Sequence, residues 1–189
     1  MPQIVLTQYR ESAADEIAGL QADLATRGIE LHLRRAPPGA PVTIELTTPA
    51  LVVVAFAQTF LAALVGELAK DAYDWLKQRL GGFAREVAAQ QPAREGMLKN
   101  DVAPLALDAD TPGAQFRLPL PVNDPAFAYE AAVAAFLEFA VACQAGRATL
   151  DDLGPGAAEH PDGVIRLRYD AAARRLVWDD PVAPVLRRP

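Results

Sequence analysis

Residues 50–65 read ALVVVAFAQTFLAALV, sixteen positions of which only Gln58 and Thr59 are polar. No other stretch restricts the fold as strongly, because a segment apolar on every side asks for burial on every side. A Thr48-Pro49 pair precedes it, setting a capping hydroxyl and a first-turn proline where a helix start wants them. Beyond Gly66 the pattern becomes amphipathic. Leu68, Ala72, Trp75, Leu76 and Leu80 recur on one face, and Glu67, Lys70, Asp71, Asp74, Lys77 and Gln78 occupy the other. This periodicity predicts one long apolar helix over residues 49–80, or two helices meeting near Gly66, ended by Gly81-Gly82.

A membrane span is the competing explanation of such a run. Sixteen helical residues reach ~24 Å, short of the ~30 Å hydrocarbon core that takes about 20 apolar residues. Gln58 and Thr59 fall mid-run, and no basic cluster flanks its start. A core helix is the expectation; a membrane-acting effector, or its soluble precursor, using residues 50–65 is the alternative. The whole chain fits the first reading. Its 189 residues are 51% apolar and 22% charged, which suffices for one domain with a substantial core.

A net charge of -6 repels phosphate backbones, so nucleic-acid binding is not expected. The single cysteine, Cys143, excludes an internal disulfide, and residues 1–6 lack the basic start and apolar run of a signal peptide. Both features predict a cytoplasmic location.

The other segments predict an α+β domain over residues 1–189, with a mixed or mostly antiparallel sheet and about three helices. Residues 1–35 read as strand–helix–strand: QIVLTQ at 3–8, a helix capped by Ser12 and stopped by Gly28, then the alternating Ile29-to-Arg34 segment. A Pro-rich connector follows at 36–41, with a further strand possible at Val42 to Leu46. Phe83 to Gln91 allows a short helix, and residues 92–113 read as loop. Residues 115–145 form a strand, placed near a sheet edge by Pro119, and an apolar helix opened by Asp124. Val164 to Trp178 forms a hairpin about a turn at Asp170 to Arg174.

Candidate chemistry is sparse. Asp108-Ala109-Asp110-Thr111-Pro112-Gly113 imitates the start of a calcium loop, but Pro112 stands where a ligand belongs and no closing Glu follows. A turn is expected. His32 and His160 have no Cys or His neighbour at ligand spacing. Cys143 lies in an apolar helix that should raise its thiol pKa, and Ser12, the only serine, is explained by capping. Neither pairs with a base, so no catalytic residue, metal or cofactor is expected. Arg166 and Arg168 share one strand face and are candidates for contacting an anion or an acidic partner.

The first ~80 residues run strand–helix–strand, Pro-rich connector, then an apolar helix closing in Ala72-Tyr73-Asp74-Trp75-Leu76-Lys77. This layout resembles small non-catalytic accessory or adaptor proteins of bacterial defence (conflict) systems. The resemblance implies a component that works beside effector enzymes, and it carries over no site residue. The expected function is a non-catalytic protein-interaction or assembly module, acting with a protein partner or as a homo-oligomer. Tyr73, Trp75, Leu76 and Leu80 are the first interface candidates, with core packing as the alternative for each.

Overall fold

A computed structural model describes residues 2–9, 13–36, 50–66, 70–90, 103–121, 124–157 and 164–179. In chain order the elements are β1 (Gln3–Gln8), α1 (Ala14–Thr26), β2 (Glu30–Arg35), β3 (Ala50–Phe56), α2 (Gln58–Gly66), α3 (Lys70–Gln90), β4 (Ala103–Thr111), β5 (Ala114–Leu120), α4 (Tyr129–Gln144), β6 (Val164–Asp170) and β7 (Arg175–Trp178). A 3₁₀ turn at Leu150–Leu153 follows α4. The strands make one mixed sheet in the order β2-β1-β3-β4-β5-β6-β7. β1–β2, β3–β4 and β5–β6 are parallel, whereas β1–β3, β4–β5 and β6–β7 are antiparallel. The class is therefore α+β, with the C-terminal hairpin in place.

Strand pleat decides which side carries the core. Ile4, Leu6, Leu31, Val52, Val54, Phe56, Leu105, Leu107, Phe116, Leu118, Ile165 and Leu167 alternate along their strands onto one face. They merge there with Ile17, Leu20 and Leu24 of α1, Phe60, Leu61 and Leu64 of α2, Leu76, Leu80 and Phe83 of α3, and Val133, Phe136 and Leu137 of α4. The four helices thus cover the same face. The intervening Val53 and Ala106 point to the opposite face and belong, with Ala50 and Ala103 from the strand starts, to a small second cluster with Tyr9 against it.

The long helix expected over 49–80 is absent. Its first part is β3, an interior strand of the sheet, where Val52, Val54 and Phe56 are almost fully buried. Three consecutive β-branched valines favour extended backbone, and a central strand buried on both faces reads as the same unbroken apolar run as a buried helix. The helix proper starts after Ala57, whose carbonyl accepts from the Phe60 and Leu61 amides at 2.9 and 3.1 Å. Thr48 and Pro49 lie outside the described residues, as do the Val42–Leu46 segment, Ser12 and His160. The apolar-helix member of the defence-protein layout is consequently a strand and separate helices.

Gly81-Gly82 does not end a helix either; α3 continues through both to Gln90 and absorbs the short helix expected from Phe83. The reason is tertiary. A Cβ on Gly81 would lie 2.8 Å from the Glu130 Cα, so the glycine lets α3 and α4 approach closely. Within the expected loop 92–113, residues 103–111 form β4, with Leu105, Leu107 and Ala109 facing the core. Pro112-Gly113 makes the two-residue turn to β5, with Gly113 at φ 90°, so the calcium-like segment is a hairpin corner.

β5 is an interior strand, not one near an edge, since it lies between β4 and β6. Pro119 is tolerated because the β5–β6 register stops at Arg117–Arg166. Asp124 is not the N-cap of α4, which begins at Tyr129. Its Oδ1 instead accepts from the Ala126 amide at 2.9 Å, and its own amide donates to the Tyr129 hydroxyl at 3.2 Å.

Candidate protein-interaction surface

The interface candidates of α3 separate by helical spacing. Leu76 and Leu80, four apart, are buried in the core at 0% and 1% exposure. Neither is available to a partner. Tyr73 and Trp75 lie on the flanks of the same turns, half-buried against the core edge. Each ring is faced by a cation. The Arg27 guanidinium, just past α1, sits 5.1 Å from the Trp75 ring centroid, and Lys77 Nζ sits 4.6 Å from that of Tyr73.

Lys77 is held in that position from two sides. Its Nζ lies 2.9 Å from Asp74 Oδ1 and 3.0 Å from Glu138 Oε1 of α4. Burial would lower its pKa, but the hydrogen bonds to Asp74 and Glu138 outweigh that and raise it. Lys77 therefore stays charged beneath the Tyr73 ring. The Tyr73 hydroxyl is buried without a hydrogen-bond partner among the described residues. Burial pushes its pKa up to about 12, with Lys77 opposing and Glu138 assisting. Further ion pairs, Asp23 with Arg79 and Arg85 with Glu130, tie α1 and α4 to α3 around this surface.

The sheet face opposite the helices carries a transverse row of charge. Cross-strand register aligns Ala55, Asp108, Arg117 and Arg166 on successive strands. Arg117 grips Asp108 with two nitrogens, Nε to Oδ1 at 2.8 Å and Nη2 to Oδ2 at 2.6 Å. That pairing raises the Arg117 pKa against the opposing effect of burial. Arg166 Nε lies 2.8 Å from Asp179 Oδ2, an ion pair by distance but without hydrogen-bond alignment. Arg166 and Arg168 do share this face, two residues apart, and Arg168 is exposed. The Arg166 charge already has a carboxylate beside it, so the two do not converge as a free anion cradle.

The remaining chemistry-bearing side chains are scattered. His32 is 45% exposed on the helix-free face, 3.4 Å from Glu30. Cys143 is half-buried in α4, where burial, and then Asp152, push its thiol up to about 11. No group of three potential metal ligands occurs among the described residues. Among the described residues, an open cleft of 220 Å³ runs between α4 and the β6–β7 hairpin past Glu138, Asp152, Arg174 and Arg175. Another, of 300 Å³, lies by Arg85, Asp124 and Tyr129. Among the described residues neither lining contains a histidine or cysteine.

Sequence reasoning missed Arg27, Glu138 and the Asp108–Arg117 pair. Arg27 and Glu138 reach α3 only through tertiary packing. The β4–β5 pairing was legible in principle from the Pro-Gly corner flanked by alternating residues. Comparison of the chain with protein-family models, curated proteins and solved structures finds no match.

Proposed function

We propose that the chain is a non-catalytic protein-interaction and assembly module, an accessory component of a bacterial multi-protein system acting in the cytoplasm. The observation that supports this reading is the pair of half-buried aromatics on α3, each faced by a cation: Arg27 from the end of α1 at Trp75, and Lys77, pinned by Asp74 and Glu138, at Tyr73. Aromatic rings fixed at a helix surface beside arginine are the side chains that dominate contact energy when a partner covers them. Their order costs little on binding, because Lys77 is already pinned by Asp74 and Glu138.

The alternative, a membrane-acting effector inserting residues 50–65 as a helix, has lost the helix it needs. Ala50–Phe56 is a strand, and the nine residues of α2 span ~14 Å. No described helix is long and apolar enough to cross a membrane.

The test uses the tagged chain in the cells that encode it, with a co-purifying protein then produced separately and recombined with the pure chain. Trp75→Ala should keep the circular dichroism of the native chain and weaken that reconstituted complex about tenfold or more, a loss of ~1.4 kcal/mol. Leu76→Ala, by contrast, should lower the melting temperature. Unchanged affinity in Trp75→Ala rules out the α3 surface, and substrate turnover by the isolated chain overturns the non-catalytic role.

A further inference from the structure

The two edges of the sheet differ. β7, at one edge, is only four residues long. β2, at the other, runs for six residues and pairs, among the described residues, with β1 alone. Its outer row of backbone donors and acceptors therefore has no described strand beside it, the arrangement that templates pairing with another chain.

The side chains on β2 say which chain. Glu30, His32 and Arg34 alternate onto the helix-free face, and Glu30 touches His32 there at 3.4 Å. Leu31 and Leu33 alternate onto the helix-bearing face, where Leu33 is 38% exposed. In an antiparallel pair, residues of the same face stand opposite each other. If His32 opposes its own counterpart, Glu30 of one copy meets Arg34 of the other, twice over by symmetry. The same register sets Leu31 against Leu33 on the other face, so charge and apolar pairs are satisfied together. Moving the symmetry centre to Leu33 sets Arg34 against His32 and Leu31 against Arg35, losing both. Parallel self-pairing stacks Glu30 on Glu30 and Arg34 on Arg34. β2 carries opposite charges at Glu30 and Arg34, four residues apart, which is the spacing the His32-centred register pairs.

We propose that β2 is a homodimerisation edge, pairing antiparallel with β2 of a second copy about His32 to extend the sheet across a two-fold axis. The isologous contact makes each residue pair occur twice. This inference stands on β2 and its charges and not on the aromatic surface of α3, so either can fail without the other.

Sedimentation equilibrium of the purified full chain at pH 8 and low salt tests it. The native chain should show a concentration-dependent dimer. Arg34→Glu and Glu30→Arg each replace two attractive pairs by two repulsive ones, and each should weaken the dimer about 30-fold. An equimolar mixture of these two variants should form a heterodimer, because a chain with two arginines then faces a chain with two glutamates. Should either variant misfold, the native background with His32→Cys provides a second reading. Cysteines directly opposite in an antiparallel pair are within disulfide reach, so an added oxidant should link two chains through position 32. Val5→Cys, on the neighbouring interior strand, should not link. A native chain that is monomeric at ~1 mM, a dimer indifferent to both charge variants, or no position-32 cross-link would overturn the proposal.

Discussion

β3 and α4 are both almost wholly apolar, yet they are buried in different ways. β3 lies between two neighbouring strands, with Val52, Val54 and Phe56 on the core face and Val53 on the second, smaller cluster. Its apolar run reflects burial on both sides. α4 buries Tyr129, Ala132, Val133, Phe136, Leu137, Ala140 and Val141, which recur three and four apart and make a single stripe. Much of the rest of α4's apolar content is alanine, at Ala131, Ala134, Ala135 and Ala142. Alanine counts as apolar but buries little area, so an Ala-rich helix looks buried all round while needing cover on one side. In this chain apolar composition overstates burial in helices and reports it faithfully in the central strand.

The comparison breaks first where a charge is introduced. Val54→Asp should cost about 4 kcal/mol or more and leave the chain unfolded, because no partner for the carboxylate exists in the core. The same residue at the half-buried Ala134 of α4, Ala134→Asp, should cost less, about 1–2 kcal/mol. Urea denaturation monitored by circular dichroism separates the two. Near-equal losses would show α4 to be as enclosed as β3.

The seam between α3 and α4 gives a sharper test with adjacent residues. Gly81→Ala drives a methyl to within 2.8 Å of the Glu130 Cα and should cost about 1–3 kcal/mol. Gly82→Ala meets nothing within 4 Å and should stabilise the helix by about 0.5–1 kcal/mol. Opposite signs at neighbouring positions would establish the close approach; the same sign would dismiss it.

Tyr73 sits where α3 faces Glu138 of α4, with a buried hydroxyl lacking a described partner. Tyr73→Phe should therefore raise stability at pH 8 by about 1 kcal/mol. The ring's pKa, raised from 10.0 to about 12, also predicts alkaline behaviour. Protonated Tyr73 is favoured in the folded state, so its contribution is complete below pH 10 and is lost as pH rises from 10 through 12. The Phe variant should show a shallower fall in melting temperature across that window. A steeper fall would contradict the assignment.

The smallest effect is on reactivity alone. With its pKa raised from 9.0 to about 11, Cys143 should hold ~100-fold less thiolate at pH 8 than an ordinary thiol and alkylate correspondingly slowly until unfolded. Rapid alkylation of the native chain would place Cys143 in a more open setting than α4 shows.

Local signals were legible wherever the side chains themselves set the backbone. β1, α1, the Gly28 stop and the β6–β7 hairpin follow from alternation, helical spacing and a left-handed glycine. The aspartate in the last turn adds its own reason, since Asp170 Oδ1 accepts from both the Ala172 and Ala173 amides. Of the candidate interface, the spacing brought out Tyr73 and Trp75 but could not separate them from Leu76 and Leu80, because a half-buried flank and a core stripe share the same apolar residues. Arg27 and Glu138 belong to that surface only through the packing of α1 and α4 on α3.

By itself the sequence determined the α+β class and the terminal hairpin, since these rest on periodicity and turn chemistry within a few residues. It asked for complete burial of residues 50–65, which only the strand part meets: Val52, Val54 and Phe56 are buried, whereas α2 is covered on one side and Val65 is 47% exposed. Only the tertiary structure decided that division. Neighbouring strands supply hydrogen-bond partners along β3 that no local pattern can reveal. The same holds at Gly81, where the glycine that signals a helix end locally is required instead by the helix passing against it.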